Sequence, residues 1–263
     1  MSRKLLVSLL IAAVLAAAAI LAAPAGLRAY WSVRDANPVR RGVARARELG
    51  CLTCHGPGGL EGIPDPGLPE GGVPSWGGGV WMMYVENDEE IREFILDGVS
   101  RARAGSVSAQ AEREKAAVQM PAYRDVLGGS DLDDLVAAFQ VLSGMSRPEK
   151  GTAADRGYRL ARTWHCFSCH GPGASGGVPN PGSLAGFIPG WYGPAFEDLV
   201  RDRSEFDAWV RDGWIDRLAR SRVAAHFADR QRIKMPWYPD FSDGDLDDLW
   251  AYTVWLGEHG GVD

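Results

Sequence analysis

Two short motifs in the chain place two thiols and an imidazole at a fixed spacing. Each motif reads Cys-x-x-Cys-His, and the two copies occupy residues 51–55 and 166–170. Two cysteines three positions apart can form thioethers with the vinyl groups on one edge of a porphyrin, and the adjacent histidine can then bind the iron. This chemistry predicts covalent attachment of two haem c groups. The candidate attachment residues and histidine ligands are Cys51, Cys54, His55, Cys166, Cys169 and His170.

Other uses of paired cysteines are weaker interpretations of the same motifs. A zinc site that used all four cysteines would join ligand pairs much farther apart in sequence than is usual, and it would leave both histidines unexplained. A thioredoxin-type redox pair needs a βαβ context, which the sequence does not contain. Duplication of the whole motif therefore favours haem over zinc, a redox pair or a structural disulfide.

The motifs belong to a tandem repeat that covers most of the chain. A shift of 115 residues places Trp76 on Trp191 and Met120-Pro121 on Met235-Pro236. After a one-residue deletion, the sequence Asp-Leu-Asp-Asp-Leu at 131–135 meets its copy at 245–249. The repeat predicts two domains, residues 38–146 and 152–260, after an N-terminal segment at residues 1–30.

A methionine recurs at the same distance from each histidine. Met120 and Met235 each lie 65 residues beyond the histidine of their own half, and each is followed by proline. A lone methionine is more often core filler than a ligand, but this one occurs twice at equivalent positions. The rival ligands are weaker, because His165 aligns with Gly50, His226 aligns with Ala111, and His259 lies near the C-terminus. We therefore predict His/Met iron coordination in both halves, with a reduction potential raised by the thioether.

Residues around the predicted ligands have less certain roles. A histidine ligand normally donates its second N–H to a carbonyl, and the loops after the motifs offer several. The candidates are Pro64, Pro66, Pro179 and Pro181, with a slight preference for Pro66 and Pro181. Two aromatic pairs could either cover the cofactor or pack in the core: Trp76 with Trp191, and Tyr123 with Tyr238.

The periodicity of the chain predicts an all-α fold. Residues 39–49 and 154–164 are helical in pattern and lead into the cysteine motifs, whereas 89–96 and 204–210 are short amphipathic stretches that end at Asp-Gly. The repeated Asp-Leu-Asp-Asp-Leu sequences begin the last helix of each half, and we expect their acids to be solvated at the helix start. The Gly/Pro-rich segments 56–80 and 171–194 are predicted loops, and no strand pattern is evident.

The N-terminus predicts export from the cytosol. An apolar run from Leu5 to Ala23 follows Arg3 and Lys4, and it is long enough to span a bilayer. Ala23-Pro24-Ala25 also has the form of a signal-peptidase site, so the segment is either a retained anchor, which we favour, or a cleaved signal.

Composition excludes some classes of partner. With 46% apolar and 24% charged residues, the chain is typical of globular proteins. Its 34 acidic residues exceed its 28 basic residues, giving a net charge of −6. An acidic body does not suit a nucleic-acid partner, but it suits a protein partner with a basic patch.

Each half resembles a class I cytochrome c domain. The shared features are a helix with glycine near its start (Gly42, Gly157), the Cys-x-x-Cys-His-Gly motif, a proline-bearing loop, the distal Met-Pro and a C-terminal helix with aromatic residues. The whole chain is similar to two-domain dihaem cytochromes c, including membrane-anchored dihaem subunits of bacterial cytochrome oxidases. The resemblance implies axial roles for His55, Met120, His170 and Met235. The long segments before each methionine depart from it, and they are either a partner contact or an extra helix.

The resemblance implies single-electron transfer rather than catalysis. It places the protein at the periplasmic side of the bacterial inner membrane, where it is a subunit of, or a donor to, a respiratory or photosynthetic complex and exchanges electrons with other redox proteins. The alternative is a dihaem peroxidase, which needs one iron open to peroxide and therefore halves that differ at the distal position. The matching methionines favour the carrier.

Overall fold

The computed structural model describes residues 3–260, which are mostly helical, with 61% helix and 2% strand. Up to residue 146 the α-helices are α1 (Arg3–Arg34), α2 (Pro38–Glu48), α3 (Cys51–Cys54), α4 (Asp88–Asp97), α5 (Arg101–Ala104), α6 (Val107–Lys115) and α7 (Asp131–Ser143). Beyond it they are α8 (Ala153–Thr163), α9 (Phe167–His170), α10 (Pro194–Leu199), α11 (Arg203–Asp212), α12 (Asp216–Ala219), α13 (Arg222–Arg230) and α14 (Asp243–His259). The helices predicted from periodicity are confirmed within one or two residues at most of their ends.

Two short strands form in the second predicted loop, where the sequence shows no strand pattern. β1 (Val178–Pro179) pairs in antiparallel fashion with β2 (Phe187–Ile188), and Val178 lies opposite Ile188. The pairing forms because the loop folds back on itself and buries both residues of β2. The local sequence could not indicate this pairing, because it joins residues ten positions apart across a turn. The two segments show no alternation of polar and apolar residues that would predict strands.

The first and last helices of each half cross at a glycine. In the first half α2 packs on α7, and a Cβ at Gly42 would lie 1.8 Å from the Asp134 carbonyl oxygen. In the second half α8 packs on α14, and a Cβ at Gly157 would lie 1.9 Å from the Asp248 carbonyl oxygen. Only glycine permits this approach of the two backbones, which explains its recurrence at the same place in both halves.

The same crossings are held by ion pairs. Arg41 donates two hydrogen bonds of 2.7 Å to Asp134, and Arg156 donates two of 2.8 and 2.7 Å to Asp248. The Asp134 residue is only 4% exposed. The expectation that the acids at the start of the last helix are solvated is therefore wrong for Asp134, because the arginine of the partner helix covers it.

Each half encloses its own cluster of buried apolar side chains. The first cluster includes Ala46, Trp76, Ile91, Leu135 and Phe139. The second is richer in aromatic residues and includes Tyr158, Trp191, Phe206, Phe241 and Tyr252. The two clusters share no residue, so each half packs around its own centre.

In the described part of the chain, α1 alone is long and apolar enough to cross a membrane, a property that signal sequences share. Its large apolar side chains from Leu5 to Leu15, which belong to the predicted apolar run, are exposed. The helix continues past this run, through Pro24, and ends at Arg34. Its last turn lies against the second half, where Arg34 pairs with Asp198.

Candidate functional site

The predicted site residues of the first half line one cavity of about 230 Å³. Cys51, Cys54 and His55 line it together with Met120, which lies 65 residues after His55 in the sequence. The rest of the lining is mainly apolar and includes Trp76, Leu135 and Phe139.

The second half repeats this arrangement around a cavity of about 390 Å³. Cys166, Cys169 and His170 line it together with Met235. The four cysteines are free, and their two pairs line different cavities. Among the described residues no group of three or more Cys, His, Asp or Glu is placed to hold a metal ion, and the thiols do not converge on one point.

Backbone geometry presents each cysteine pair to its cavity. In the first half α2 ends at Glu48, and Gly50 adopts a left-handed conformation with φ of 79° before the single turn of α3. In the second half His165 holds the equivalent left-handed position, with φ of 56°. Because residues i and i+3 of a helical turn share a face, both thiols of a pair point to the same side.

A backbone carbonyl orients each histidine. The Nδ1–H group of His55 donates to the Pro74 carbonyl at 2.7 Å, and that of His170 donates to the Pro189 carbonyl at 2.9 Å. Nε2 of each ring is thus left with a free lone pair. The slight preference for Pro66 and Pro181 is wrong. The Pro181 carbonyl instead accepts from the Arg232 amide, because its turn packs against the segment before Met235.

Burial tunes the ionisation of the site residues. It lowers the pKa of His55 and of His170, an effect that the hydrogen bond to the proline carbonyl partly opposes. Both imidazoles are therefore neutral at neutral pH, as a metal ligand requires. Burial also raises the pKa of Cys51, and it raises that of Cys166 to about 11. Reactive redox thiols have lowered pKa values, so these two lack that activation.

A polar side chain that the sequence analysis did not select ties the cysteine loop to the methionine segment. Asp65 is fully buried, and its carboxylate accepts hydrogen bonds from the amides of Gly67, Ala117 and Val118. These bonds, that of Ala117 foremost, lower the pKa of Asp65. In the second half Asn180 has the same place, and its amide exchanges two 2.9 Å hydrogen bonds with the backbone of Ile233. The alignment of Pro-Asp-Pro-Gly with Pro-Asn-Pro-Gly was the available signal.

The repeated Asp-Gly that ends α4 and α11 also positions the methionines. Gly98 and Gly213 have φ of 74° and 69°. A Cβ at Gly98 would lie 2.3 Å from the Met120 carbonyl oxygen, and one at Gly213 would lie 2.9 Å from that of Met235. Each glycine thus ends a helix and allows the methionine segment to pass against it.

All four aromatic residues left open by the sequence line the cavities, and the two tryptophans also pack in the core. Trp76 and Trp191 are 8% and 5% exposed, and their rings lie 5.4 and 5.5 Å from the imidazoles of His55 and His170. Each tryptophan therefore packs in its core and limits the movement of the histidine. Tyr123 and Tyr238 also line their respective cavities.

The long segment before each methionine forms two helices, α5 and α6 in the first half and α12 and α13 in the second. Side chains from these helices line the cavities, but their chemistry differs between the halves. The first cavity is lined there by Arg103, Glu112 and Arg113. The corresponding residues of the second are Leu218, Phe227 and Ala228. The structure thus shows helices in these segments, as one interpretation expected, while a partner contact stays a prediction.

Comparison of the chain with protein-family models, curated proteins and solved structures finds no match. The functional argument therefore depends on the geometry of the two cavities. Each has a fixed neutral imidazole, a thioether and two free thiols around a mainly apolar space, donors that suit iron, copper or zinc rather than a hard cation such as Mg²⁺.

Proposed function

We propose that the protein is a dihaem c-type cytochrome that transfers single electrons. The observation that carries this proposal is that the same set of sequence-predicted residues lines one cavity in each half. In each half the cysteine pair, the histidine and a methionine 65 positions beyond it line the same cavity. Packing alone has no requirement for these four residues, of three types, to meet at one place in both halves.

The residues of each cavity fit a covalently attached haem. The two thiols of a pair are on one side, where they would bond the two vinyl groups, and the unprotonated Nε2 of the histidine would bind the iron. The methionine would supply the opposite ligand. When bound, haem supplies an iron centre that changes its charge by one unit.

The residues around each cavity would limit the structural rearrangement that accompanies this change of charge. His55 and His170 are held by Pro74 and Pro189, so their rings need not turn when an electron arrives. Asp65 and Asn180 hold the segments that precede Met120 and Met235, so each methionine would stay available as a ligand and would leave no position for substrate. The mainly apolar lining limits the entry of water, and therefore the solvent rearrangement that accompanies electron transfer.

The proposed setting is the periplasmic side of a bacterial inner membrane, with α1 as the anchor. The acidic body would meet a redox partner through a basic patch on that partner, as part of or beside a respiratory or photosynthetic complex. A methionine in the lining of both cavities supports a carrier over a dihaem peroxidase, since a peroxidase needs an open iron.

Mass spectrometry and absorption spectroscopy of the full chain, purified in mild detergent from a host with a c-type maturation system, test the proposal. We expect a mass higher than that of the polypeptide by about 1.2 kDa, since two haems are attached by thioethers. The oxidised protein should be low-spin with a methionine–iron charge-transfer band.

Variants that lack one cysteine pair serve as matched controls. Replacing Cys51 and Cys54 by alanine, or Cys166 and Cys169, should each remove half of the added mass. An unmodified polypeptide would contradict the proposal. High-spin iron with peroxide turnover would instead support the peroxidase.

A further inference from the structure

The end of the anchor helix packs against the second half, and it reaches the second cavity. Trp31, in the last turn of α1, lines that cavity together with Ala195, Phe196 and Leu199. The Arg34 guanidinium lies 4.9 Å over the Trp31 ring and pairs with Asp198 at 3.0 Å. A residue outside both repeats therefore forms part of the wall of one site.

A buried carboxylate just after α1 holds the helix that carries this wall. Asp35 is 4% exposed, and its Oδ1 accepts the Ala195 amide at 3.0 Å. Helix α10 starts with Pro194 after Gly193, so it has neither a side-chain cap of its own nor an N–H at its first position. Asp35 thus supplies the missing acceptor for the N-terminus of α10 from a distant part of the chain.

Two further residues, Arg40 and Asn37, continue the same interface. Arg40 donates to Asp35 at 2.8 Å, and its guanidinium lies 4.3 Å over the ring of Phe187, another residue of the second cavity. Asn37 donates through Nδ2 to the Ser175 carbonyl at 2.9 Å. We call residues 31–40 the collar.

The first cavity has no equivalent of the collar. Within the described chain its lining runs from Leu49 to Phe139, so all of it comes from the first half. The turn that corresponds to α10, Val80–Met83, follows Gly79 and receives no side-chain cap. Contact with the anchor is therefore a property of the second site alone.

We propose that the collar completes the wall of the second cavity and fixes the second half against α1. Trp31 is a positioning residue that closes the cavity wall, and the Asp35–Arg40 pair fixes the second half against the anchor. Trp31 lies eight residues beyond Ala23, where the apolar run ends, which is about 12 Å along a helix. With α1 as the membrane anchor, which is part of the proposed function, the second site would be held beside the membrane surface. The role of Trp31 toward the cofactor rests on the proposed function, whereas the placement of the collar does not.

Zero-length cross-linking tests the placement without any reference to the cofactor. In the full chain in detergent, Arg34→Lys provides an amine in place of the guanidinium that pairs with Asp198, and a carbodiimide should couple the two. We expect a cross-linked peptide pair that joins residue 34 to residue 198, and its loss when Asp198→Asn is added. Absence of this cross-link in the single variant would overturn the placement.

A redox titration of the full chain tests the role of Trp31. The wave of the second site is identified as the one missing from the Cys166→Ala/Cys169→Ala variant. In Trp31→Ala, we expect that wave to move to lower potential as water enters the cavity, while the other wave stays in place. Tyr30→Ala is the matched control, because Tyr30 is 52% exposed and does not line the cavity.

The outcomes separate the two proposals. An unshifted wave in Trp31→Ala, or an equal shift in Tyr30→Ala, would contradict the role of Trp31 while leaving the dihaem proposal intact. A wild-type chain without haem would end the dihaem proposal and, with it, the cofactor role of Trp31. The cross-link would still decide whether the collar packs on the second half.

Discussion

The two halves share the residues that surround the cavity and differ in the walls between them. Both have the cysteine pair, the carbonyl-bound histidine and the methionine, and both cross their terminal helices at a glycine with an arginine–aspartate pair. The first cavity has charged side chains from α5 and α6, whereas the second has apolar ones from α12 and α13 and a tryptophan from α1. A duplicated scaffold can thus preserve its donor set while each copy acquires its own electrostatics and attachment.

Loss of a methionine should have the largest effect and should separate the halves completely. Under the proposed function, Met120→Leu removes the thioether from the first site only, and Met235→Leu removes it from the second only. Each variant should lose about half of the charge-transfer band in the oxidised spectrum, because the other site retains its sulfur ligand. Met145→Leu, which lines neither cavity, is the control. Retention of the full band in either ligand variant would show that its methionine is not a ligand.

Closing the glycine crossing should destabilise one half at a time. Gly42→Ala and Gly157→Ala each place a Cβ under 2 Å from a backbone oxygen, and we expect a loss of about 3 kcal/mol in the free energy of unfolding. Denaturant titrations of the full chain should show the transition of the affected half moving alone. Gly257→Ala in α14 meets no atom within 4 Å and should be neutral or slightly stabilising. Equal effects at all three positions would contradict the close crossing.

The difference between Asp65 and Asn180 predicts a difference in pH dependence. Backbone hydrogen bonds lower the pKa of Asp65 below its unfolded value near 4, so the carboxylate stabilises the first half above that value. This stabilisation should disappear as the pH falls through the folded pKa. Asn180 does not titrate, so the second half lacks this dependence. In Asp65→Asn, the free energy of unfolding of the first half should therefore decrease less as the pH falls. If the decrease at acid pH is unchanged in this variant, other carboxylates cause it.

The charged wall of the first cavity should have the smallest effect. Arg103 lies 4.5 Å over the Tyr84 ring and pairs with Glu112 at 2.7 Å. Under the proposed function a nearby cation favours the reduced iron, so Arg103→Leu, which introduces the residue type of the equivalent position 218, should lower the potential of the first site. The decrease should be small, because Glu112 pairs with Arg103 and opposes its charge.

A redox titration measures this effect, and an arginine outside the cavity provides the control. Arg124→Leu removes a cation that pairs with Asp97 on the surface and does not line either cavity. We expect it to leave both waves unchanged. A rise in potential in Arg103→Leu, or a shift of the second wave, would show that this side chain acts through the fold rather than through its charge.

Local patterns were sufficient for much of the fold. The helices at 39–49 and 154–164 were recognisable because side chains three and four positions apart share a helix face. The repeat also identified the methionines as candidates, since Met-Pro recurs at one distance from each histidine. The carbonyl partners of the histidines were mispredicted, because several prolines in each loop were equivalent until the path of the loop was known.

The sequence alone determined the residue types available for chemistry and the fact that they are duplicated, since covalent spacing along the chain is enough to define a Cys-x-x-Cys-His motif and a repeat. Only the tertiary structure decided which distant segments meet. The burial of Asp65 and Asp134 and the packing of Trp31 on the second cavity depend on contacts across many residues. Such contacts are set by the packing of whole helices and loops, and no local pattern in the chain encodes them.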